Sequence, residues 1–317
     1  MKYISFSTKA GTLKKLEKVI TGAQIPPSVF FTAKMWKQHP RKQLKRVCNR
    51  LGNGPFIVRS SSKSEDTYEH SQAGRFLSVL DVTVDDLAQN IELVFKSFDK
   101  YNEQDEVLVQ PMLKNVTLAG VAFSHDPNTS SPYRIINYSK DGDTTSITNG
   151  LSGGFTWQQA AASPTPPPIK LAPILGLLDE LLALFDYHPL DIEFCFTSEI
   201  SNSIPWLLQA RPIILNNPTE TTKEQTDRLK SIQKSLEQRM KKHPWISGSK
   251  TVFGVMPDWN PAEVIGIRPK PLALSLYKEL VTDSIWAYQR HNYGYRNLRS
   301  FPLMVDFSGL PYVDVRL

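Results

Sequence analysis

The sequence predicts an α+β chain, and three features carry that reading. Residues Leu87, Ile91, Val94, Phe95 and Phe98 form a stripe at helical spacing. Short apolar runs such as Phe56–Val58 and Val107–Leu113 are the length of strands rather than helices. Asp191–Phe196 and Trp206–Ile213 alternate polar with apolar residues around a short connection, as two paired strands do.

In chain order, Leu13, Leu16, Val19 and Ile20 lie on one helical face, and Gly22 ends that helix. Pro26-Pro27 turns into a short strand through Thr32. Thr83 caps a helix running through Asp99. The strand Val107–Leu113 meets Pro111, and a strand from Gly120 ends in a sharp turn at Ser124-His125-Asp126-Pro127, where His125 reads as a solvated residue. Asp141–Asp143 and Asn149–Gly154 are turn chemistry, and Ala160–Pro168 is a surface loop. Pro173 opens an apolar core helix through Phe185. Past the Asp191 to Ile213 pair, Asn216–Thr222 links to a charged helix with Leu229, Ile232, Leu236 and Met240 on one stripe. After Gly248 the composition shifts to aromatics and prolines, which marks a new domain. Its Trp, Tyr, Arg and Asn fit either a small polar ligand pocket or a buried polar core.

A length of 317 residues predicts about two domains. With 40% hydrophobic and 21% charged residues the chain is ordinary for a globular protein, and no apolar run reaches the length of a membrane span. The N-terminus lacks the apolar region of a signal peptide, so a cytoplasmic location is expected. Cys48 and Cys195 are too few for a disulfide framework or a zinc site. The net charge of +6 arises at Lys34–Arg50 and Lys223–Lys242, without the aromatic interleaving of a single-strand binder, and neither nucleic acid nor membrane is expected as a partner. A basic balance also suits a protein that holds a polyanionic nucleotide.

Two stretches carry candidate chemistry. Arg59, Ser60, Ser61 and Ser62 leave the strand Phe56–Val58. A guanidinium makes bidentate hydrogen bonds to phosphate, and small hydroxyl residues pointing outward let a triphosphate lie close to the main chain. The other reading is a strand with a polar loop. In the second stretch, Asp191 and Glu193 project from one face of a strand, and Gln209 and Arg211 from one face of its neighbour. Two carboxylates, an amide and a guanidinium fit a Mg2+-triphosphate face, since hard oxygen ligands suit Mg2+. A surface hairpin with alternating polar residues is the other reading.

Val58-Arg59-Ser60-Ser61, Glu65-Asp66 and Ala73-Gly74, in that order, resemble the phosphate-binding segment of the pyruvate phosphate dikinase and phosphoenolpyruvate synthase family. So do Gly120-Val121-Ala122-Phe123-Ser124-His125-Asp126-Pro127, Asp191-Ile192-Glu193-Phe194 and Leu208-Gln209-Ala210-Arg211-Pro212. The resemblance implies an ATP-grasp nucleotide-binding fold of two α+β subdomains, 1–110 and 111–215, followed by a helical linker, 216–250, and the start of an acceptor-binding middle domain, 251–317. It implies ATP and Mg2+ as cofactors. Lys9, Arg59 and Arg211 would act on the phosphates as the catalytic cations. Ser60, Ser61, Glu65, Asp66 and Gly74 would line the phosphate segment, and Gln110 and Met112 the adenine side. Asp191, Glu193 and Gln209 would hold the metal.

By the same resemblance, the enzyme is an AMP-forming, dikinase-type phosphotransferase. The β-phosphoryl of ATP passes to a histidine on a mobile domain and then to a small acceptor. The six histidines all lie outside the glycine-rich context of that carrier. The carrier is therefore expected on a domain absent from this chain, and the end at Leu317 reads as a truncation. Trp259-Asn260-Pro261-Ala262-Glu263 resembles the L-glutamine kinases of capsule pathways, which makes L-glutamine the first expected acceptor. Phosphoenolpyruvate synthesis and rifampin-phosphotransferase-like chemistry are the alternatives, and a non-catalytic nucleotide-sensing module is the alternative of another class.

Overall fold

The computed structural model describes residues 3–62, 66–67, 70–71, 77–98, 102–139, 154–197, 204–215, 219–254 and 261–317, with 66–67 and 70–71 by backbone only. The chain is α+β, as the sequence predicts, and divides into two compact units, Met1–Thr222 and Lys223–Leu317.

The first unit contains two main antiparallel sheets. Helix α1 (Lys9–Leu16) precedes β1 (Val29–Thr32), α2 (Ala33–Gln38), α3 (Pro40–Leu51) and β2 (Phe56–Ser61). Two-residue strands β3 (Asp66–Thr67) and β4 (His70–Ser71) pair with each other and lead to β5 (Ser78–Val82), α4 (Leu87–Lys96) and β6 (Glu106–Pro111). The first sheet has the order β1-β6-β2-β5. Strand β7 (Leu118–Phe123) opens the second sheet with β8 (Tyr133–Ser139) and β9 (Phe155–Ala160), and helix α5 (Ala172–Leu184) leads to β10 (Leu190–Phe196) and β11 (Trp206–Pro212). Its order is β11-β10-β7-β8-β9.

Alternation along the strands decides what each face buries. In the first sheet, Val29, Phe31, Val58, Val107 and Val109 pack on Leu87, Ile91, Val94 and Phe95 of α4 and on Val47 of α3. In the second, Leu190, Ile192, Phe194 and Phe196 pack on Ile174, Leu177, Leu178 and Leu181 of α5. Leu13 and Leu16 of α1 and Leu108 of β6 belong to this second core, which ties the first sheet to the second. Gly120 lets β7 lie against β8 where no side chain fits: an added Cβ would run into the carbonyl oxygen of Asn137. Glu180 of α5 clamps the turn after α1, accepting from the amides of Thr21 and Gly22, each at 2.7 Å.

Several local expectations shift. The α1 helix stops at Leu16, and Val19 is exposed, because the chain turns at 17–19 rather than continuing to Gly22. Helix α4 starts four residues after Thr83, whose hydroxyl accepts from Asp86 N at 3.3 Å and donates to the Asp86 carboxylate at 2.7 Å. The two basic helices α2 and α3 escape a reading that saw only charge; Thr32 caps the first, accepting from Met35 N at 3.2 Å. His125 is buried rather than solvated. Burial and then Arg134 lower its pKa to about 4, so its ring is neutral. The turn segments at 141–143 and 149–153 lie outside the described residues.

The second unit begins within α6 (Thr222–Arg239) and continues through β12 (Phe253–Gly254), α7 (Pro261–Ile265), α8 (Pro271–Tyr277), a π-helical turn (Lys278–Thr282), α9 (Ile285–Asn292), β13 (Met304–Phe307) and β14 (Leu310–Asp314). Its Leu229, Ile232, Leu236 and Met240 are half-buried. Arg316 fastens the end of α6, donating to Arg239 O at 2.8 Å and Lys241 O at 3.1 Å while paired with Asp314 at 2.7 Å. Tyr288, Tyr293 and Tyr295 do not build the buried polar core that was one of the two expectations for this region: all three are exposed, Tyr288 under Arg299 and Tyr295 under Arg290. Among the described residues no helix is long and apolar enough to cross a membrane.

Candidate functional site

Register fixes the site. Strands β10 and β11 pair Asp191 with Arg211 and Glu193 with Gln209, so these four side chains share one face. A bulge follows at once, with Phe194 opposite Leu207, so that Gln209 stays level with Glu193. The opposite face of β10 is the apolar one that packs on α5. In the first sheet, Arg59 lies opposite Leu108 and Ile57 opposite Gln110. Because Leu108 belongs to the core shared with α1 and the second sheet, Arg59 and Gln110 occupy the face turned toward that sheet.

Arg59 crosses between the sheets. One of its terminal nitrogens donates to Glu193 Oε2 at 2.6 Å and to Gln209 Oε1 at 3.2 Å. Arg211 Nε donates to both oxygens of Asp191, at 2.7 and 3.0 Å. The two carboxylates pair with separate guanidiniums, which offset their mutual repulsion without removing it. Their acidities differ. Burial raises Asp191 to about 6, against the pull of Arg211 and, more weakly, Lys9. Burial pushes Glu193 up as well, but Arg59, Lys9 and Arg211 together outweigh it and hold the carboxyl below its ordinary value.

Lys9 is the first residue of α1, and its charge acts on both carboxylates. The start of α1 is held by three hydroxyl contacts. Thr8 Oγ1 accepts from Gly11 N at 3.1 Å and donates to Glu106 at 2.8 Å, and Ala10 N donates to Ser61 Oγ at 3.0 Å. This corrects one expectation. Ser60, Ser61 and Ser62 are buried rather than pointing outward, because Ser61 caps α1 and Ser62 donates to Asp105 at 2.6 Å.

Gln110 is buried, and its Nε2 has no partner among the described residues. Met112, half-buried, lies just past β6 and donates its amide to Pro55 O at 2.9 Å. Glu65 and Gly74 lie outside the described residues, and of Asp66 only the backbone, in β3, is described. The structure thus brings together Lys9, Arg59, Asp191, Glu193, Gln209 and Arg211, with Gln110 on the same face as Arg59.

Sequence reasoning missed the clip that positions Asp191. Leu190 N donates to Ser124 Oγ at 2.8 Å, and Ser124 N donates to Leu190 O at 2.9 Å. The Ser124 hydroxyl, which accepts from Leu190 N, also shares a hydrogen bond with His125 Nδ1 at 3.0 Å. The turn sequence around Asp126-Pro127 marked this place, but a partner 66 residues away left no local signal.

The metal candidates pass a test of donor chemistry. Mg2+ is held by one or two carboxylates together with substrate phosphates, and Asp191, Glu193 and Gln209 supply two carboxylates and an amide. A cage made by protein alone is absent: no three His, Cys, Asp or Glu residues form a metal cluster among the described residues.

Residues 8–140 match the family model described as the pyruvate phosphate dikinase AMP/ATP-binding domain. No curated protein matches the chain in sequence. Similar solved structures include D-alanine-D-alanine ligase from Helicobacter pylori, 16% identical over 65% of this chain and 54% of that one, with a TM-score of 0.39. A second is N5-carboxyaminoimidazole synthetase from Staphylococcus aureus complexed with ADP, 14% identical over 66% and 44%, with a TM-score of 0.37. A third is the biotin carboxylase domain of Hydrogenobacter thermophilus 2-oxoglutarate carboxylase in complex with MgADP, 12% identical over 67% and 40%, with a TM-score of 0.38. The chain spans about half the length of such structures. Likenesses at this level carry no argument about its chemistry.

Proposed function

We propose that the first unit binds Mg-ATP between its two sheets as the nucleotide-binding part of an ATP-dependent phosphotransferase with the ATP-grasp fold. The observation that carries this reading is the contact of Arg59 with Glu193 and Gln209, which joins residues 134 and 150 positions apart into one cluster. The match to an AMP/ATP-binding domain model supports it over 8–140, a span that includes Lys9, Arg59, Gln110 and Met112. Asp191, Glu193, Gln209 and Arg211 lie beyond that span and enter the reading through their geometry.

In this reading Lys9, Arg59 and Arg211 neutralise phosphate charge and orient the chain of phosphates. Buried positive groups aimed at a developing negative charge are most of what phosphoryl transfer asks of a protein. Asp191, Glu193 and Gln209 hold Mg2+, which when bound screens the phosphate oxygens. Gln110, with its buried donor, and Met112 take the adenine side. The β-phosphoryl passes to a carrier histidine on another domain while water takes the γ-phosphoryl, leaving AMP and phosphate, and the histidine then gives its phosphoryl group to an acceptor, L-glutamine first. Phosphoenolpyruvate synthesis and rifampin-type phosphorylation are the other acceptors to screen.

The test is a calorimetric titration of the chain with MgATP. Saturable binding that is weakened in Arg59→Ala supports the reading, and no binding overturns it. AMP release that requires an added carrier domain separates an enzyme from a nucleotide sensor. A screen in which the amide of glutamine is never phosphorylated removes the first-choice acceptor.

A further inference from the structure

The guanidinium of Arg59 holds the very groups that the proposed function assigns to a metal. A single nitrogen lies within hydrogen-bond reach of a carboxylate oxygen of Glu193 and the amide oxygen of Gln209, at 2.6 and 3.2 Å. That is the pair of oxygens a hard cation would take. The contact is sheltered, with the Arg59 side chain 11% and the Glu193 side chain 18% exposed. It is also incomplete. Arg59 Nε and Gln209 Nε2 are buried with no partner among the described residues. A buried donor left unpaired is costly, and a guanidinium fork is best satisfied by an anion offering two oxygens side by side.

Charge points the same way. Lys9, Arg59 and Arg211 act on Asp191 and Glu193, three cations on two carboxylates among the described residues. A divalent cation entering alone would add two positive charges to a cluster whose described side chains are already net positive and largely out of water. A triphosphate arriving with its cation reverses the balance and gives Arg59 the phosphate oxygens in exchange for Glu193.

We propose that Arg59 is a resident counter-ion, occupying the metal-binding oxygens of Glu193 and Gln209 until a nucleotide draws it away, so that divalent cation binds with nucleotide and not before it. This rests on the proposed Mg-ATP site. It makes Arg59 a positioning residue for the metal ligands as well as a phosphate contact. Its removal then has opposite effects on two ligands: nucleotide binding weakens while binding of the bare metal strengthens.

The test uses Mn2+ alone, followed by electron paramagnetic resonance of the free ion at pH 8, with the intact chain. Arg59→Gln should bind Mn2+ at least about tenfold more tightly than wild type, the factor carried by loss of one charge-assisted hydrogen bond. Adding Glu193→Gln should abolish the gain. Equal or weaker Mn2+ binding in Arg59→Gln overturns the proposal, and so does a gain that survives Glu193→Gln. If circular dichroism shows that Arg59→Gln does not fold, Arg59→Lys serves, since its ammonium on a shorter stem stops short of the two oxygens that the terminal guanidinium nitrogen reaches. A gain of a few-fold is then expected, and no gain is decisive against the proposal. None of these measurements contains nucleotide, so a failed MgATP titration of the wild type would count against the proposed function while the Mn2+ comparison stands or falls separately.

Discussion

Asp191 and Glu193 sit two residues apart on one strand face, yet their situations are opposite. Asp191 pairs with Arg211, its direct neighbour on the adjoining strand, and burial still raises it to about 6. Glu193 pairs with Arg59, delivered from the other sheet, and is held below its ordinary value. A partner supplied by the same hairpin leaves the carboxyl open to protonation just below neutral pH, whereas a partner from a second sheet, helped by Lys9, keeps it charged to lower pH. The long-range contact therefore decides which of the two carboxylates keeps its charge as pH falls.

The largest effect should come from removing that long-range partner. Arg59→Ala leaves a buried carboxylate without its cation, and we expect a loss of about 3–5 kcal/mol in urea unfolding. The same variant should weaken MgATP binding by about 1.5–3 kcal/mol, the range for hydrogen bonds to charged groups. Arg211→Ala should cost less, about 1–2 kcal/mol, because Asp191 escapes the loss by taking up a proton. Equal losses for the two arginines would break the comparison.

The pH dependence sharpens it. Asp191 has a folded pKa, about 6, above its ordinary 3.8, so the folded state binds the extra proton between those values. Its ionisation therefore costs stability as pH rises through that window. Asp191→Asn should gain on wild type by about 2 kcal/mol between pH 4 and pH 7, measured by urea unfolding at both. For Glu193 the sign reverses: its contribution is present above the ordinary glutamate value and is lost as pH falls through the lowered one. An Asp191→Asn advantage that is the same at both pH values would show that the two carboxylates are not held differently.

The smallest effect concerns the anchoring of α1. Ser61→Ala removes the acceptor for Ala10 N and should cost about 1 kcal/mol in the same unfolding assay, as the loss of a helix cap does. It should leave the difference between Arg59→Ala and Arg211→Ala unchanged, since Ser61 touches neither ion pair. A change in that difference would mean that α1 transmits its position to the carboxylates.

Much of this was legible from residue order. The period of two in Asp191-Ile192-Glu193 and in Gln209-Ala210-Arg211 placed four polar side chains on one face, since strand geometry leaves no other arrangement. The stripe Leu87, Ile91, Val94, Phe95, Phe98 identified a helix and its buried side, although the helix starts at Leu87 rather than at the cap. Local chemistry failed where a distant group competed for the same atoms. Ser61 was expected to face a phosphate and instead accepts from the amide of Ala10, and His125 was expected in water and lies under Arg134 and the Ser124 clip.

By itself, then, the sequence determined the α+β elements, the polar face of the β10–β11 pair and the identity of the charges available, because these depend on periodicity and residue type over a few positions. Only the tertiary structure decided that Arg59 meets Glu193 rather than solvent, and that Ser61 serves α1 while Ser62 holds Asp105. Those outcomes depend on which surfaces the apolar core draws together, and the core that joins Leu13, Leu108 and Leu207 is assembled from parts of the chain too far apart for any local pattern to encode.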